Sequence, residues 1–282
     1  MLKKILVPLD GSDLSGRILE RLEPIFQQEH PEVHLLRALP SAPDEEAAEV
    51  ASTRAQLERF ADTLSNRRAT ITSSVELGDP GQVILSYIDK NKPDLVAMST
   101  HGASGISRWV RGSVAERVLR RCPVPLLMAN PEGLAASGRP GFKRILVPLD
   151  GSKTAAEVLP LVEELARPYA AEVLLLCVER PEVMVAPMGS PAQPDQGRRA
   201  REILAPYESM FTTAGIQVRA KVAIGPPAQW ILKVAEEEEI DLLAMTTHGR
   251  SGPSRWLFGS VAEKVLRASP CPLVLHRSFS QD

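Results

Sequence analysis

The sequence predicts an α/β protein built from two tandem doubly wound domains. Each is expected to be a five-stranded parallel sheet, order 3-2-1-4-5, with helices on both faces. Three observations carry that expectation. Lys3–Ser12 (KKILVPLDGS) recurs as Lys143–Ser152 (KRILVPLDGS), one residue different. Met98–Leu127 (MSTHGASGISRWVRGSVAERVLRRCPVPLL) recurs without a gap as Met245–Val274 (MTTHGRSGPSRWLFGSVAEKVLRASPCPLV). Between these matches, short apolar runs alternate with helical patterns, which implies βαβ units with right-handed crossovers and a parallel sheet. The copies are offset by 140 at the first match and 147 at the second, so the second repeat carries seven extra residues. The Pro-rich stretch Pro181–Pro194 is their expected place, a long surface loop. The first domain is bounded as residues 1–130 and the second as 142–282. Gly, Pro and Ser mark residues 131–141 as the linker, and a pseudo-twofold relation between the halves is expected.

Each element of the first repeat has its own local signal. Ile5–Leu9 is an apolar run ended by Asp10-Gly11-Ser12, a strand that turns into a helix. Ser12 reads as the N-cap, and Leu14, Ile18, Leu22, Ile25 and Phe26 keep helical spacing to about Gln28. Val33–Ala38 (VHLLRA) is the second strand. Glu46–Ser65 is a long helical pattern with Val50, Leu57, Phe60 and Leu64 on one face. Ala69–Glu76 alternates like a strand, and Gly78-Asp79-Pro80 opens a helix over Gly81–Lys90. Asp94–Ser99 is the fourth strand, Ser113–Arg121 the next helix and Pro125–Ala129 the fifth strand. The second repeat's strands are expected at Ile145–Leu149, Glu172–Val178, Gln217–Ile224, Asp241–Thr246 and Leu273–His276. Ser113 with Glu116, and Ser260 with Glu263, fit the capping-box spacing.

Composition narrows the function classes. An apolar fraction of 44% with 24% charged residues is that of a soluble globular protein. A formal net charge of −2 with no basic stripe gives no reason to expect nucleic acid. No run has the length of a membrane-spanning helix, and the amino terminus lacks the pattern of a signal peptide. Cys122, Cys177 and Cys271 have no metal-type spacing and read as buried small hydrophobes, so no metal is expected and a reducing cytoplasm is. Neither Gly-rich loop contains Gly-Lys-Ser/Thr, and no G-x-G-x-x-G follows a strand. His101 and His248 each stand alone in a loop without a paired carboxylate or Cys, so no catalytic residue is assigned.

The Gly-Ser loops carry the functional reading. A helix that starts at a defined place after a Gly-containing loop presents unpaired N–H groups and the positive end of its dipole, which together attract a phosphate. In open α/β sheets a ligand sits beyond the carboxyl ends of the strands, where strand order reverses. If strands one and four are neighbours there, Asp10 converges with the loop after Ser99, and Asp150 with the loop after Thr246.

In these residues the chain resembles the tandem members of the universal stress protein family over both repeats. Nucleotide-binding members carry G-x2-G-x9-G-[ST] after strand four. Gly102 is followed by nine residues and Gly112-Ser113, and Gly249 by nine residues and Gly259-Ser260. The first glycine of that pattern is Ser99 in one copy and Thr246 in the other. Were a positive φ required there, Ser would be awkward and Thr a steric outlier. The resemblance implies Asp10 and Asp150, preceded by Pro8 and Pro148, at the ribose and adenine end. It implies backbone contacts to adenine from Ala38 and Val178. It gives the triphosphate to Met98, Ser99, Gly102, Gly112, Ser113 and Val114, and to Met245, Thr246, Gly249, Gly259, Ser260 and Val261. The implied function is an ATP-binding stress-response regulator, with or without Mg. The alternatives are a non-binding interaction or dimerisation scaffold of the same fold and, ranked last, a slow ATPase. Partners are an adenine nucleotide, an intrachain pseudo-dimer through the fifth strands, an optional homodimer and an unknown protein. Plainer readings stand beside these. Asp10 serves as turn chemistry, the Gly-Ser pairs as helix starts, and Arg108 and Arg255 as solvated surface. Trp109 and Trp256 pack their loops, and Glu236–Glu239 form a solvated face.

Overall fold

The computed structural model describes residues 2–40, 46–64, 67–100, 113–130, 142–180, 197–247 and 259–278. The expected linker and the Pro181–Pro194 insertion lie outside them. Two compact units emerge: Met1–Gly141 with Cys271–Arg277, and Phe142–Pro270 with Ser278–Asp282.

In the first unit the elements run β1 (Lys4–Leu9), α1 (Asp13–Gly16), α2 (Ile18–Glu29), β2 (Glu32–Leu39), α3 (Glu46–Thr63) and β3 (Thr70–Leu77). They continue with α4 (Pro80–Asn91), β4 (Leu95–Ser99), α5 (Ser113–Arg121) and β5 (Leu126–Ala129). The strand order is β3-β2-β1-β4-β5, all parallel. The second unit holds β6 (Arg144–Pro148), α6 (Lys153–Ala156), α7 (Leu159–Tyr169), β7 (Glu172–Glu179), α8 (Arg198–Thr213), β8 (Val218–Ile224), α9 (Pro227–Glu237), β9 (Leu242–Thr246) and α10 (Ser260–Ala268). Its strands lie in the order β8-β7-β6-β9, also parallel. The last strand, β10 (Leu273–His276), is grouped with the first unit, where it pairs antiparallel with β5 through Leu273↔Met128, Val274↔Leu127 and Leu275↔Leu126.

Buried apolar runs explain the central strands. Ile5, Leu6, Val7, Val33, Leu35, Leu36, Leu95, Val96 and Ala97 are buried, as a parallel sheet covered on both faces requires. The edge strand β3 (TITSSVEL) is polar and largely open, as an edge tolerates. The ladders also locate the insertion. Partners across β2 and β3 differ by 38 in number (Glu32↔Thr70) and across β7 and β8 by 45 (Val173↔Val218), so the seven extra residues fall between β7 and β8.

The helix expected to run unbroken from Ser12 to about Gln28 is instead two pieces in each repeat. Arg17 separates α1 from α2, where Glu20 N–H bonds three residues back to the Arg17 carbonyl. In the second repeat the break falls at Glu157 and Val158, just before Pro160, which lacks the N–H that would continue the ladder. The helical ends also match. His30 and Ala170, like Lys92 and Glu239, occupy equivalent positions and all take φ of 47–48°, the left-handed region that a non-glycine residue enters at a cost. The helix expected after Gly78-Asp79-Pro80 forms, and Asp79 caps it, its Oδ1 accepting from Gln82 N–H at 3.0 Å; this bond foremost lowers its pKa.

Two features went beyond the sequence reading. First, the Glu236–Glu239 run is more than a solvated face. Glu238 accepts from Lys221 (2.7 Å) and Arg219 (3.3 Å) on β8, and Glu239 pairs with Arg144 (3.2 Å) on β6. Second, a single carboxylate pins the start of each central strand. Asp94 Oδ2 accepts from the N–H groups of Lys3 and Lys4, both at 2.9 Å, and Asp241 Oδ2 from those of Lys143 (3.0 Å) and Arg144 (2.9 Å).

Asp241 is only 7% exposed. Asp241→Ala is therefore expected to cost about 2 kcal/mol in urea unfolding, because it strands two amides bonded to a buried charge. The exposed Asp94→Ala should cost clearly less. The Glu238 carboxyl titrates below its ordinary range, chiefly through the hydrogen bond from Lys221. Its contribution, under about 1 kcal/mol, is present above the unfolded carboxyl pKa of about 4.3 and is lost as pH falls through the lower folded value. Glu238→Gln should remove that part of the acid limb in a pH series of unfolding midpoints.

Candidate functional site

The site begins where β1 and β4 separate. Their ladder consists of Ile5↔Leu95 and Leu6↔Val96, and that of β6 and β9 of Ile145↔Leu242 and Leu146↔Leu243. Both strands of each pair run three residues further, to Leu9 and Ser99 and, less one residue for β6, to Pro148 and Thr246. They therefore part before their carboxyl ends, at the reversal point of the sheet. Pro8 and Pro148, which have no N–H to give to a neighbouring strand, stand in the unpaired halves on the β4 and β9 side.

Register fixes what stands on each lip. Leu9 pairs with Arg37, and Pro148 with Leu176, so Asp10 comes level with Ala38 and Asp150 with Val178. The β1–β4 register, continued to the strand ends, sets Asp10 opposite Thr100 and Asp150 opposite Thr247. Met98 and Met245 are buried one residue inside the strand ends. Thr100 and Thr247 are buried polar residues, and Thr100 N–H donates to the Ala129 carbonyl at 2.9 Å.

Both aspartates do turn chemistry. Asp10 Oδ1 accepts from Ser12 N–H (3.0 Å) and Ser12 Oγ–H (2.6 Å), and Asp150 Oδ1 accepts the same pair from Ser152 at the same distances. Ser12 and Ser152 in turn accept from Ser15 N–H (3.2 Å) and Ala155 N–H (3.0 Å) as N-caps. This Asx turn holds the carboxylate in one orientation at the mouth of the crevice. Gly11 and Gly151 make the turn possible, with φ of 82° and 84°.

Ser99 and Thr246 close their strands in extended backbone, and neither has a positive φ. The departure from glycine therefore puts no backbone strain on these positions. Gly102, Gly112 and Gly249 lie outside the described residues, as do His101, His248, Arg108, Arg255, Trp109 and Trp256.

The described end of the second loop is informative. Gly259 N–H donates to the Thr247 carbonyl at 2.9 Å, which brings the start of α10 back to the end of β9. The capping box expected at Ser260 and Glu263 does not form. Gly259 is the N-cap, with φ −58° and ψ 138° and no side-chain hydrogen bond, so Ser260 is the first helical residue. Gly259 already supplies the extended backbone of a cap, which displaces serine by one position. The first helical bond runs from Glu263 N–H to the Gly259 carbonyl, leaving the amides of Ser260, Val261 and Ala262 ahead of it. In the first repeat α5 starts at Ser113, followed by the half-buried Val114.

One residue at this site was missed from sequence. Arg37, in β2 beside Ala38, lays its guanidinium over Gly11, and its Nε and Nη1 are buried without a hydrogen-bond partner. Burial pushes its pKa down against the attraction of Asp10 and Glu49. The signal was present: aligning EVHLLRAL with EVLLLCVE shows a cation replacing an apolar residue at a strand end. The cysteines are all buried and unpaired in disulfides, and burial raises the Cys122 thiol to about 11. Among the described residues no group of three His, Cys, Asp or Glu is placed to hold a metal ion, and no helix is long and apolar enough to cross a membrane.

Ser152→Ala should lower stability by about 1 kcal/mol through loss of a cap, whereas Ser260→Ala should change it by less than about 0.5 kcal/mol. Chemical denaturation of the two variants side by side checks where the helices begin.

Comparison with known proteins agrees with this architecture. A universal stress protein of Methanocaldococcus jannaschii is 31% identical over 142 residues, 48% of this chain and 81% of that protein. One of Methanothermobacter thermautotrophicus is 34% identical over 146 residues, 49% of this chain and 97% of its own. The crystal structure of a universal stress protein from Archaeoglobus fulgidus covers 98% of this chain and 99% of its own, with TM-score 0.77 at 22% identity, a likeness of fold. The Universal stress protein family matches residues 1–130 and again 141–277, so the chain belongs to that family, with one family domain in each repeat.

Proposed function

We propose that each repeat binds an adenine nucleotide, ATP with or without Mg, in the crevice between its first and fourth strands, and that occupancy regulates partner binding in a stress response. The observation that carries this reading is the early parting of β1 from β4, and of β6 from β9, with an oriented carboxylate on one lip of each and, in the second repeat, a helix start tied to the other. The residues present suit the ligand. Asp10 and Asp150 commit Oδ1 to the turn, which aims the carboxylate as an acceptor for ribose hydroxyls. Ala38 and Val178 bring strand backbone to the level of that carboxylate, where it can meet the adenine edge. The amides of Ser260 and Val261, ahead of the first helical bond, suit phosphate oxygens, and Ser113 and Val114 hold the same place in the first repeat. A bound triphosphate would add negative charge at the helix start marked by each Gly-Ser pair, and a local charge change of this kind is a recognised basis for switching a partner surface.

A ligand bound by the folded state alone raises the melting temperature, so Mg-ATP at saturating concentration is expected to stabilise the wild-type chain. Asp10→Asn with Asp150→Asn keeps an acceptor for the Ser12 and Ser152 turns while removing both carboxylates. That double variant should melt like the wild type without nucleotide and lose the ATP-induced rise. An undiminished rise would remove the carboxylates from the site. Adenine nucleotide recovered after heat-denaturing freshly purified protein separates binding from the scaffold reading, and ADP with released phosphate would favour the slow ATPase.

A further inference from the structure

At the proposed site the two repeats share a backbone but carry different charges, and one of the differences is a cation at the end of the second strand. Arg37 and Cys177 are equivalent residues, each one step beyond the partner of the strand-one proline: Leu36 faces Pro8 and Leu176 faces Pro148. Cys177 is 2% exposed, one more apolar residue of the core. Arg37 instead sends a cation to the Asp10-Gly11 turn. A Cβ at Gly11 would meet its Cζ and Nη2 at 2.8 Å, closer than real Cβ atoms come. Gly11 is thus required for its positive φ, and the guanidinium occupies the space that its missing side chain leaves.

The position of Arg37 leaves its bonding incomplete. Nε and Nη1 are buried with no hydrogen-bond partner, and the nearby carboxylates of Asp10 and Glu49 act on it electrostatically. An N–H of a charged group, removed from water and given no acceptor, is a costly arrangement that any well-placed acceptor relieves. The donors lie in the plane of the guanidinium, so they call for oxygen acceptors more than for an aromatic face. A planar fork of N–H groups with a full positive charge matches a phosphoryl group best. The unbranched side chain can rotate its fork away from Gly11 towards a ligand in the adjoining crevice.

Resting on the nucleotide-binding reading above, we propose that Arg37 is a specificity-determining residue of the first crevice. Its unmet donors take an anionic oxygen of the bound nucleotide, so the first crevice favours phosphorylated ligand over nucleoside through a residue that the second replaces by Cys177. A purely structural Arg37, propping the turn, would act on every ligand alike.

The test uses the full chain carrying Asp150→Asn, which silences the second crevice, titrated with ATP and with adenosine by calorimetry. Adding Arg37→Met keeps the length of the side chain and removes its charge. The expected result is a loss of about tenfold or more in ATP affinity with adenosine affinity nearly unchanged. Arg37→Lys should recover part of the loss. Melting temperatures without ligand establish that the variants are folded. Equal changes for ATP and adenosine, or tighter ATP binding by Arg37→Met, would overturn the assignment. So would a wild-type chain that binds ATP while the Asp150→Asn chain does not, since the first crevice would then be idle. A wild type that binds neither ligand would sink the nucleotide reading itself, a result separate from the failure of Arg37 alone.

Discussion

A parallel sheet covered on both faces has no open face, so only its strand ends are left to meet a ligand. Everything at those ends hangs on the register of the central strand. In each repeat that strand is held by backbone ladders to the second strand along most of its length, from Lys4↔Glu32 to Leu9↔Arg37 and from Arg144↔Glu172 to Pro148↔Leu176. It is fixed again at its start by Asp94 or Asp241. A slip of one residue would exchange the two packed faces of the strand and carry Asp10 or Asp150 to the wrong one. The pinned start and the parted end are thus two parts of one constraint.

The same constraint bears on the strand-one aspartates. Turn chemistry and the proposed ligand contact looked like rival explanations in the sequence, yet an Asx turn also sets the orientation of its carboxylate. Committing Oδ1 to Ser12 or Ser152 fixes the side chain before any ligand arrives, which reduces the entropy that binding would otherwise cost. The serine that receives this carboxylate also caps the first helix, so strand end, turn and helix start form one hydrogen-bonded unit.

The strands were legible because buried parallel strands read as apolar runs, and the duplication let each repeat check the other. Bounds fell within a residue or so, from β1 at Lys4–Leu9 to β10 at Leu273–His276. Other features were hidden because they depend on local backbone or on distant partners. The break at Arg17 follows a tightened turn that apolar spacing does not register. Ser260 lost its capping role to Gly259, a matter of one dihedral pair. The Glu run looked solvated because its partners Lys221, Arg219 and Arg144 lie on other strands. Concern over backbone strain at Ser99 and Thr246 came from a consensus glycine, and their extended strand-end backbone removes that part of it.

What the duplication kept and what it changed are different in kind. Both copies retain the groups that satisfy or steer backbone: the pinning aspartates, the Asx turns, the serine caps and the left-handed residues at helix ends. Several other side chains have diverged. Arg37 corresponds to Cys177, and the buried His34, bonded to Tyr87 at 3.0 Å, stands where the second repeat has Leu174. One backbone cap differs as well: Asp79, which caps α4, corresponds to Pro226, which offers no side-chain bond. A mutation in the first group disturbs the frame itself, since an unpaired backbone amide or a misplaced strand end damages the fold and the crevice together. A mutation in the second group leaves the frame and alters the charge or polarity it presents. Divergence of the two crevices is therefore a matter of chemistry carried on a common geometry.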